Sequence, residues 1–131
     1  MATYTFDHVH IISPNPEAAA QFYVEKFGAV VKNKGTAPDG TAMIAVNLGG
    51  GNIFVKGRAE KPTAKSPAPG TTYGLEHFGI VTNDLDAAVK ELKAKGVVFK
   101  QDITNFRPGI RISFLLGPDD TLIELLERKP V

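Results

Sequence analysis

A chain of 131 residues with a formal net charge of +1, 43% hydrophobic and 22% charged residues has the make-up of one ordinary globular domain with enough apolar material for a core. The near-neutral balance gathers no basic face for nucleic acid. The lack of cysteine excludes disulfides, thiolate nucleophiles and cysteine metal sites. No apolar run approaches the ~20 residues of a membrane span. No basic segment precedes an apolar run at the N-terminus, so no signal peptide is read and a cytoplasmic location is expected.

The first strand is predicted over Tyr4 to Ile12, with Tyr4, Phe6, His8, His10 and Ile12 on one face and Val9 and Ile11 on the other. Pro14 and Pro16 end it. Asn15 caps a helix that opens with Pro16 and Glu17 and buries Ala19, Tyr23 and Phe27, with Phe22 alongside. Gly28 stops that helix in the left-handed region. Strands follow at Ala29 to Lys34, Thr41 to Leu48 and Asn52 to Lys56, with turns at Pro38-Asp39-Gly40 and Gly49-Gly50-Gly51. The triple glycine joins two strands and opens no helix, so it is no phosphate loop.

The stretch from Gly57 to Gly70, rich in Pro, Lys and small residues, reads as a solvated linker. The plan then repeats. A strand over Glu76 to Val81 carries His77, and Asp84 caps a helix with Leu85, Ala88, Val89 and Leu92 on one stripe. Gly96 stops it. Strands follow near Val97 to Gln101, Arg111 to Leu116 and Leu122 to Glu127, the last two joined by Gly117-Pro118-Asp119-Asp120. The fold predicted is α+β: two tandem β-α-β-β-β modules in one domain over 1–131. Module 1 covers about 3–58, the linker about 59–72, and module 2 about 73–129. A repeat of this size is a duplicated supersecondary unit.

Duplication sets His8 and His77 at matching points, twenty residues before Gly28 and nineteen before Gly96. Glu124 stands alone among Leu122, Ile123, Leu125 and Leu126, where a carboxylate is costly to bury unless paired or bound to a metal. Three readings are open for it: exposure on an edge strand, a salt bridge to Arg111, or metal ligation. Two histidines and a carboxylate with open positions are a recipe for catalytic metal. His10 projects beside His8 and reads as an alternative ligand, a group behind the ligand, a general base, or an ordinary hydrogen-bonded residue. In a simple hairpin register Arg111 and Ser113 share the face of Glu124. Arg111 or Arg107 can hold a substrate carboxylate or phosphate, although Arg107 beside Pro108-Gly109 also reads as a surface loop.

The ordered set Asp7-His8-Val9-His10-Ile11, Phe22-Tyr23 with Phe27-Gly28, Glu76-His77-Phe78-Gly79-Ile80, and Gly117-Pro118-Asp119 followed by Ile123-Glu124-Leu125 resembles the vicinal oxygen chelate superfamily. That group includes glyoxalase I, methylmalonyl-CoA epimerase, extradiol ring-cleaving dioxygenases, fosfomycin-resistance transferases and bleomycin-binding proteins. The resemblance covers nearly the whole chain. It implies sheets curled round a cavity that holds one divalent ion, with His8, His77 and Glu124 as ligands; a His₂-carboxylate set suits Fe, Mn, Zn, Ni or Co, and His10 and Glu124 are the residues read here as catalytic groups. Arg111, Arg107 and Ser113 would then bind substrate. Glyoxalase I and the epimerase carry a fourth ligand, Glu or Gln, late in the first module. Counting forty-seven residues from His8, as Glu124 lies from His77, places it at Val55, so three protein ligands remain.

A glyoxalase-like lyase or isomerase is the first expectation. A dioxygenase or thiol transferase, or a metal-free protein that sequesters a small molecule, are the alternatives. The expected partners are a small-molecule substrate and a second copy in a homodimer, with no nucleic acid and no membrane. The modules pair either within one chain or across that dimer.

Overall fold

The computed structural model describes residues 3, 6–58 and 73–130. The chain divides into two compact units, residues 1–64 and 65–131. Each has the order β-α-β-β-β, and the linker expected at about 59–72 lies outside the described residues.

In the first unit, strands β1 (His8–Ile12), β2 (Val30–Thr36), β3 (Ala42–Leu48) and β4 (Gly51–Lys56) form one mixed sheet in the order β1-β4-β3-β2. β1 runs parallel to β4, and the other pairs are antiparallel. Helix α1 (Pro16–Phe27) begins where the Asn15 side chain accepts a hydrogen bond from the Ala18 N–H at 3.1 Å. Such a cap is worth about 0.5–2 kcal/mol. It ends at Gly28, whose φ of 72° suits a residue without a Cβ. Ala19, Ala20 and Tyr23 of α1 are buried, as are Ile44, Val46, Ile53 and Val55 of the sheet. The register keeps His8, His10, Asn52 and Phe54 together on the face away from that core.

The second unit repeats this with β5 (Phe78–Val81), α2 (Leu85–Ala94), β6 (Phe99–Arg107), β7 (Ile110–Leu116) and β8 (Leu122–Arg128), ordered β5-β8-β7-β6. Asp84 caps α2 by accepting from the Ala87 N–H at 3.0 Å. Leu85, Val89 and Leu92 of α2 and Leu115, Ile123 and Leu125 of the sheet form its core. Burying each such side chain contributes about 1.5–3 kcal/mol.

Four strands differ from the sequence reading by two residues or more at a boundary. β1 starts at His8, because β4, its partner in the sheet, begins at Gly51; Phe6, expected on the strand face, lies outside it and is exposed, and Tyr4 lies outside the described residues. β5 starts at Phe78 because β8 starts at Leu122, which leaves His77 just ahead of the strand. β2 runs on to Thr36 as a fully exposed strand with a register shift between Val31 and Asn33. β6 reaches Arg107, and three register shifts along it hide the period-two pattern.

Candidate functional site

The second unit supplies an imidazole and a carboxylate facing one another. His77 Nε2 lies 3.9 Å from Glu124 Oε1. The other ring nitrogen, Nδ1, is 3.1 Å from the Glu76 carboxylate. The Phe114 ring meets His77 edge-on at 5.1 Å, and its register partner across β7 and β8 is Glu124. Gly79 is the β5 residue opposite Glu124, and a Cβ there would stand 3.3 Å from Glu124 Oε1 and 3.4 Å from Leu126 Cδ2. The bare backbone is what leaves room for the carboxylate. Glu76 and Phe114 also line a recess of about 310 Å³ with Lys100, Gln101 and Leu122.

The first unit presents His8 and His10 with a different neighbour. The His8 ring stacks on Phe54 at 4.0 Å and 11°, while His10 meets the same ring edge-on at 6.2 Å. His8 Nδ1 is 2.6 Å from the Asp7 carboxylate. Asn52 donates to the Asp7 carbonyl at 3.4 Å and accepts from Asn47 at 2.9 Å, which ties the strand entrance to the β3–β4 hairpin. Desolvation first, then the nearby His8, Lys56 and Arg58, hold the His10 imidazole below its usual pKa, so it is neutral at pH 7. Lys56 itself is committed to Asp39 at 2.9 Å.

The registers correct the assignment of Val55. Glu124 pairs with Gly79, two residues after His77, and the residue pairing with the one two after His8 is Phe54. Phe54 is therefore the counterpart of Glu124, forty-six residues after His8. Val55 is fully buried on the α1 side. The first module is one residue shorter between these points, and one residue on a strand is a change of face.

The expectation that Arg111 and Ser113 share the face of Glu124 is also overturned. Arg111 pairs with Glu127 and Ser113 with Leu125, both on the α2 side, because the β7–β8 register sets Phe114 and not Ser113 against Glu124. Arg111 reaches Asp86 of α2 at 2.7 Å and Glu127 at 3.0 Å, so the suggested Arg111–Glu124 salt bridge is absent. The Ser113 hydroxyl is fully buried and donates to the Gln101 carbonyl at 2.6 Å. Arg107 ends β6, where its guanidinium lies 5.6 Å from the Phe106 ring. It lines a groove with Arg111, Glu127 and Lys129, away from Glu124.

Sequence reasoning missed Asp7, Glu76, Phe54 and Phe114. The signal for the first two was present, since both repeated histidines follow an acidic residue. Glu127 was missed as well. It is 3% exposed, accepts from the Leu85 N–H at 2.8 Å and pairs with Arg111, both of which hold its carboxyl below the usual value. Among the described residues, neither unit by itself gathers three or more His, Asp or Glu side chains around one point. No helix of the described residues is long and apolar enough to cross a membrane.

Three similarities bear on this arrangement. The uncharacterised protein YwkD of Bacillus subtilis is 28% identical over 129 residues, covering 98% of this chain and 100% of that one. A lactoylglutathione lyase of Schizosaccharomyces pombe is 26% identical over 151 residues, but the chain, matched over 98% of its own length, spans only 47% of that enzyme. The solved structure of a glyoxalase family protein from Enterococcus faecalis has the same fold, with a TM-score of 0.78 at 24% identity over 94% of this chain and 97% of that one. The family model for residues 5–125 starts just ahead of the first histidine and closes just past the isolated glutamate, and the chain belongs to the Glyoxalase/Bleomycin resistance protein/Dioxygenase superfamily.

Proposed function

We propose that the protein is a divalent-metal-dependent lyase or isomerase of the glyoxalase kind, acting on a small oxygen-rich substrate held through two adjacent oxygens. The observation that carries this reading is the His77–Glu124 pair over Gly79. Two donors about 2.1 Å from one tetrahedral ion stand roughly 3.4 Å apart. The 3.9 Å gap is too long for a hydrogen bond and close to that separation. His8 would be the third donor, and a His₂-carboxylate set accepts Fe, Mn, Zn, Ni or Co. When bound, the ion supplies Lewis-acid stabilisation of negative charge that develops on a substrate oxygen.

The chain's own residues do the rest. His8, His77 and Glu124 would hold the ion. Phe54 and Phe114 wall their histidines with apolar surface and exclude water from those sides. His10, neutral at pH 7, takes a substrate proton on its free ring nitrogen and returns it, a role worth about 10²–10⁴ in rate. The similarity to the lactoylglutathione lyase supports lyase-type chemistry.

Phe54 favours a second reading. With an aromatic ring where Glu124 has its counterpart, only three donors remain, and that set suits a ring-cleaving dioxygenase or a fosfomycin-type thiol transferase. Metal analysis, then calorimetric titration of metal-loaded and metal-free protein with α-hydroxy-carbonyl, catechol and phosphonate ligands, tests both. Removing the metal is expected to weaken binding at least tenfold, about 1.4 kcal/mol. Equal affinity in both forms would leave a protein that sequesters its ligand without metal.

A further inference from the structure

Each of the two repeated histidines is bonded to the residue that precedes it. Asp7 Oδ2 lies 2.6 Å from His8 Nδ1, and Glu76 Oε1 lies 3.1 Å from His77 Nδ1. An ionised carboxylate only accepts hydrogen bonds, so the proton in each bond belongs to the imidazole. That fixes the neutral ring with hydrogen on Nδ1 and a free lone pair on Nε2. In the second unit Nε2 is also the nitrogen that faces Glu124. His10 follows Val9, so no acidic residue precedes it.

The arrangement is anchored in the first unit. Asn52 holds the Asp7 carbonyl and is itself held by Asn47, so the backbone that carries the carboxylate is fixed by the hairpin. Neither acid belongs to a strand, because β1 begins at His8 and β5 at Phe78. Outside the pleat, neighbouring side chains need not point to opposite faces, and a carboxylate can reach the ring next to it.

We propose that Asp7 and Glu76 are positioning residues that lock His8 and His77 with Nε2 open, the nitrogen each offers to the ion. The inference rests on the metal reading above. Carboxylates behind a ligating imidazole typically carry 10- to 100-fold in metal affinity.

The full-length chain, labelled with ¹⁵N and freed of metal, is examined by long-range ¹H–¹⁵N correlation at about pH 8, above the usual imidazole range. The expected result is the Nδ1–H tautomer for His8 and His77. Asp7→Ala should release His8 alone, and Glu76→Ala should release His77 alone. Both acids are substantially exposed, with side chains 77% and 47% accessible, so the fold should survive, as circular dichroism will show. Competition with a chromophoric chelator for Zn and Co should give a 10- to 100-fold loss of affinity in each variant, with partial rescue in Asp7→Glu and Glu76→Asp. A wild-type Nε2–H tautomer at either position, or variants with unchanged tautomer and affinity, overturns the proposal. Wild-type protein with the Nδ1–H tautomers but no affinity for any divalent ion upholds the orienting role and overturns the metal reading instead.

Discussion

Phe54 sets how many carboxylates the proposed metal site would have. Its ring lies flat on His8, and its register position is that of Glu124 in the other unit. Phe54→Glu should restore a fourth donor and tighten divalent-cation binding at least tenfold, about 1.4 kcal/mol. It should also cost the roughly 0.5–1.5 kcal/mol of the lost aromatic contact. Chelator competition and thermal denaturation read the two effects, and unchanged affinity would place Phe54 outside the ion's reach. Glu124→Gln should abolish tight metal binding while the metal-free protein stays as stable or gains, because a partly buried carboxylate is removed. A large fall in the metal-free Tm would instead make Glu124 a structural ion, though not one paired with Arg111. His8, His77 and Glu124 stood out in the sequence, the histidines because duplication repeats them and Glu124 because its strand neighbours are apolar, and their shared role is the proposal above. Asp7 and Glu76 were passed over, although each precedes a repeated histidine. A residue next to a strand histidine is assigned to the opposite face, and only the structure shows that both strands start too late for that rule.

At the scale of the elements, α2 is fastened to β8 through its first residue. Glu127 accepts from the Leu85 N–H and Arg111 bridges Glu127 to Asp86, so strand and helix share one charged joint. The Glu127 carboxyl lies below its ordinary value of 4.5 chiefly because of the Leu85 N–H. Asp86 lies below 3.8 chiefly because of its bond to Arg111. A carboxylate depressed in the folded state adds stability above its unfolded pKa and loses it as pH falls through the folded one. The Tm should therefore hold from neutrality to about pH 4.5 and drop below it. Glu127→Gln should lower the plateau and flatten that acid slope, and parallel pH profiles for the two proteins would exclude the joint as the cause. Leu85→Ala, at a fully buried position, should cost about 2–5 kcal/mol in chemical denaturation. Both helices were legible through their caps and stripes. Only the start of β6 was, since bulges and the polar run Gln101, Asp102, Thr104 and Asn105 break the alternation by which strands are read.

For the whole molecule, the donors proposed for one ion come from both units, His8 from the first and His77 with Glu124 from the second. Metal should then stabilise the protein by mass action, about 2.7 kcal/mol at a hundredfold excess over Kd. His8→Ala and His77→Ala should each erase that gain, although they lie in different units. A shift that survives in one variant would assign the ion to the other unit alone. The duplicated architecture was legible because each module repeats strand, cap, stop and strand in the same order. Its registers were not, because a count along the chain cannot see where a turn takes up a residue. That single residue separated Val55 from Phe54.

The same alternation bears on how such a chain can change. Along β8, Glu124 and Glu127 point to opposite faces, one toward His77 and one into the joint with α2. Deleting Leu125 would turn the second acid onto the face of the first and strip Arg111 of its buried partner. Exchange of side chains, as between Phe54 and a carboxylate, leaves every other residue on its face. New specificities are thus open to this scaffold by substitution within strands, while insertions and deletions are confined to turns such as Gly49-Gly50 and Pro118–Asp120.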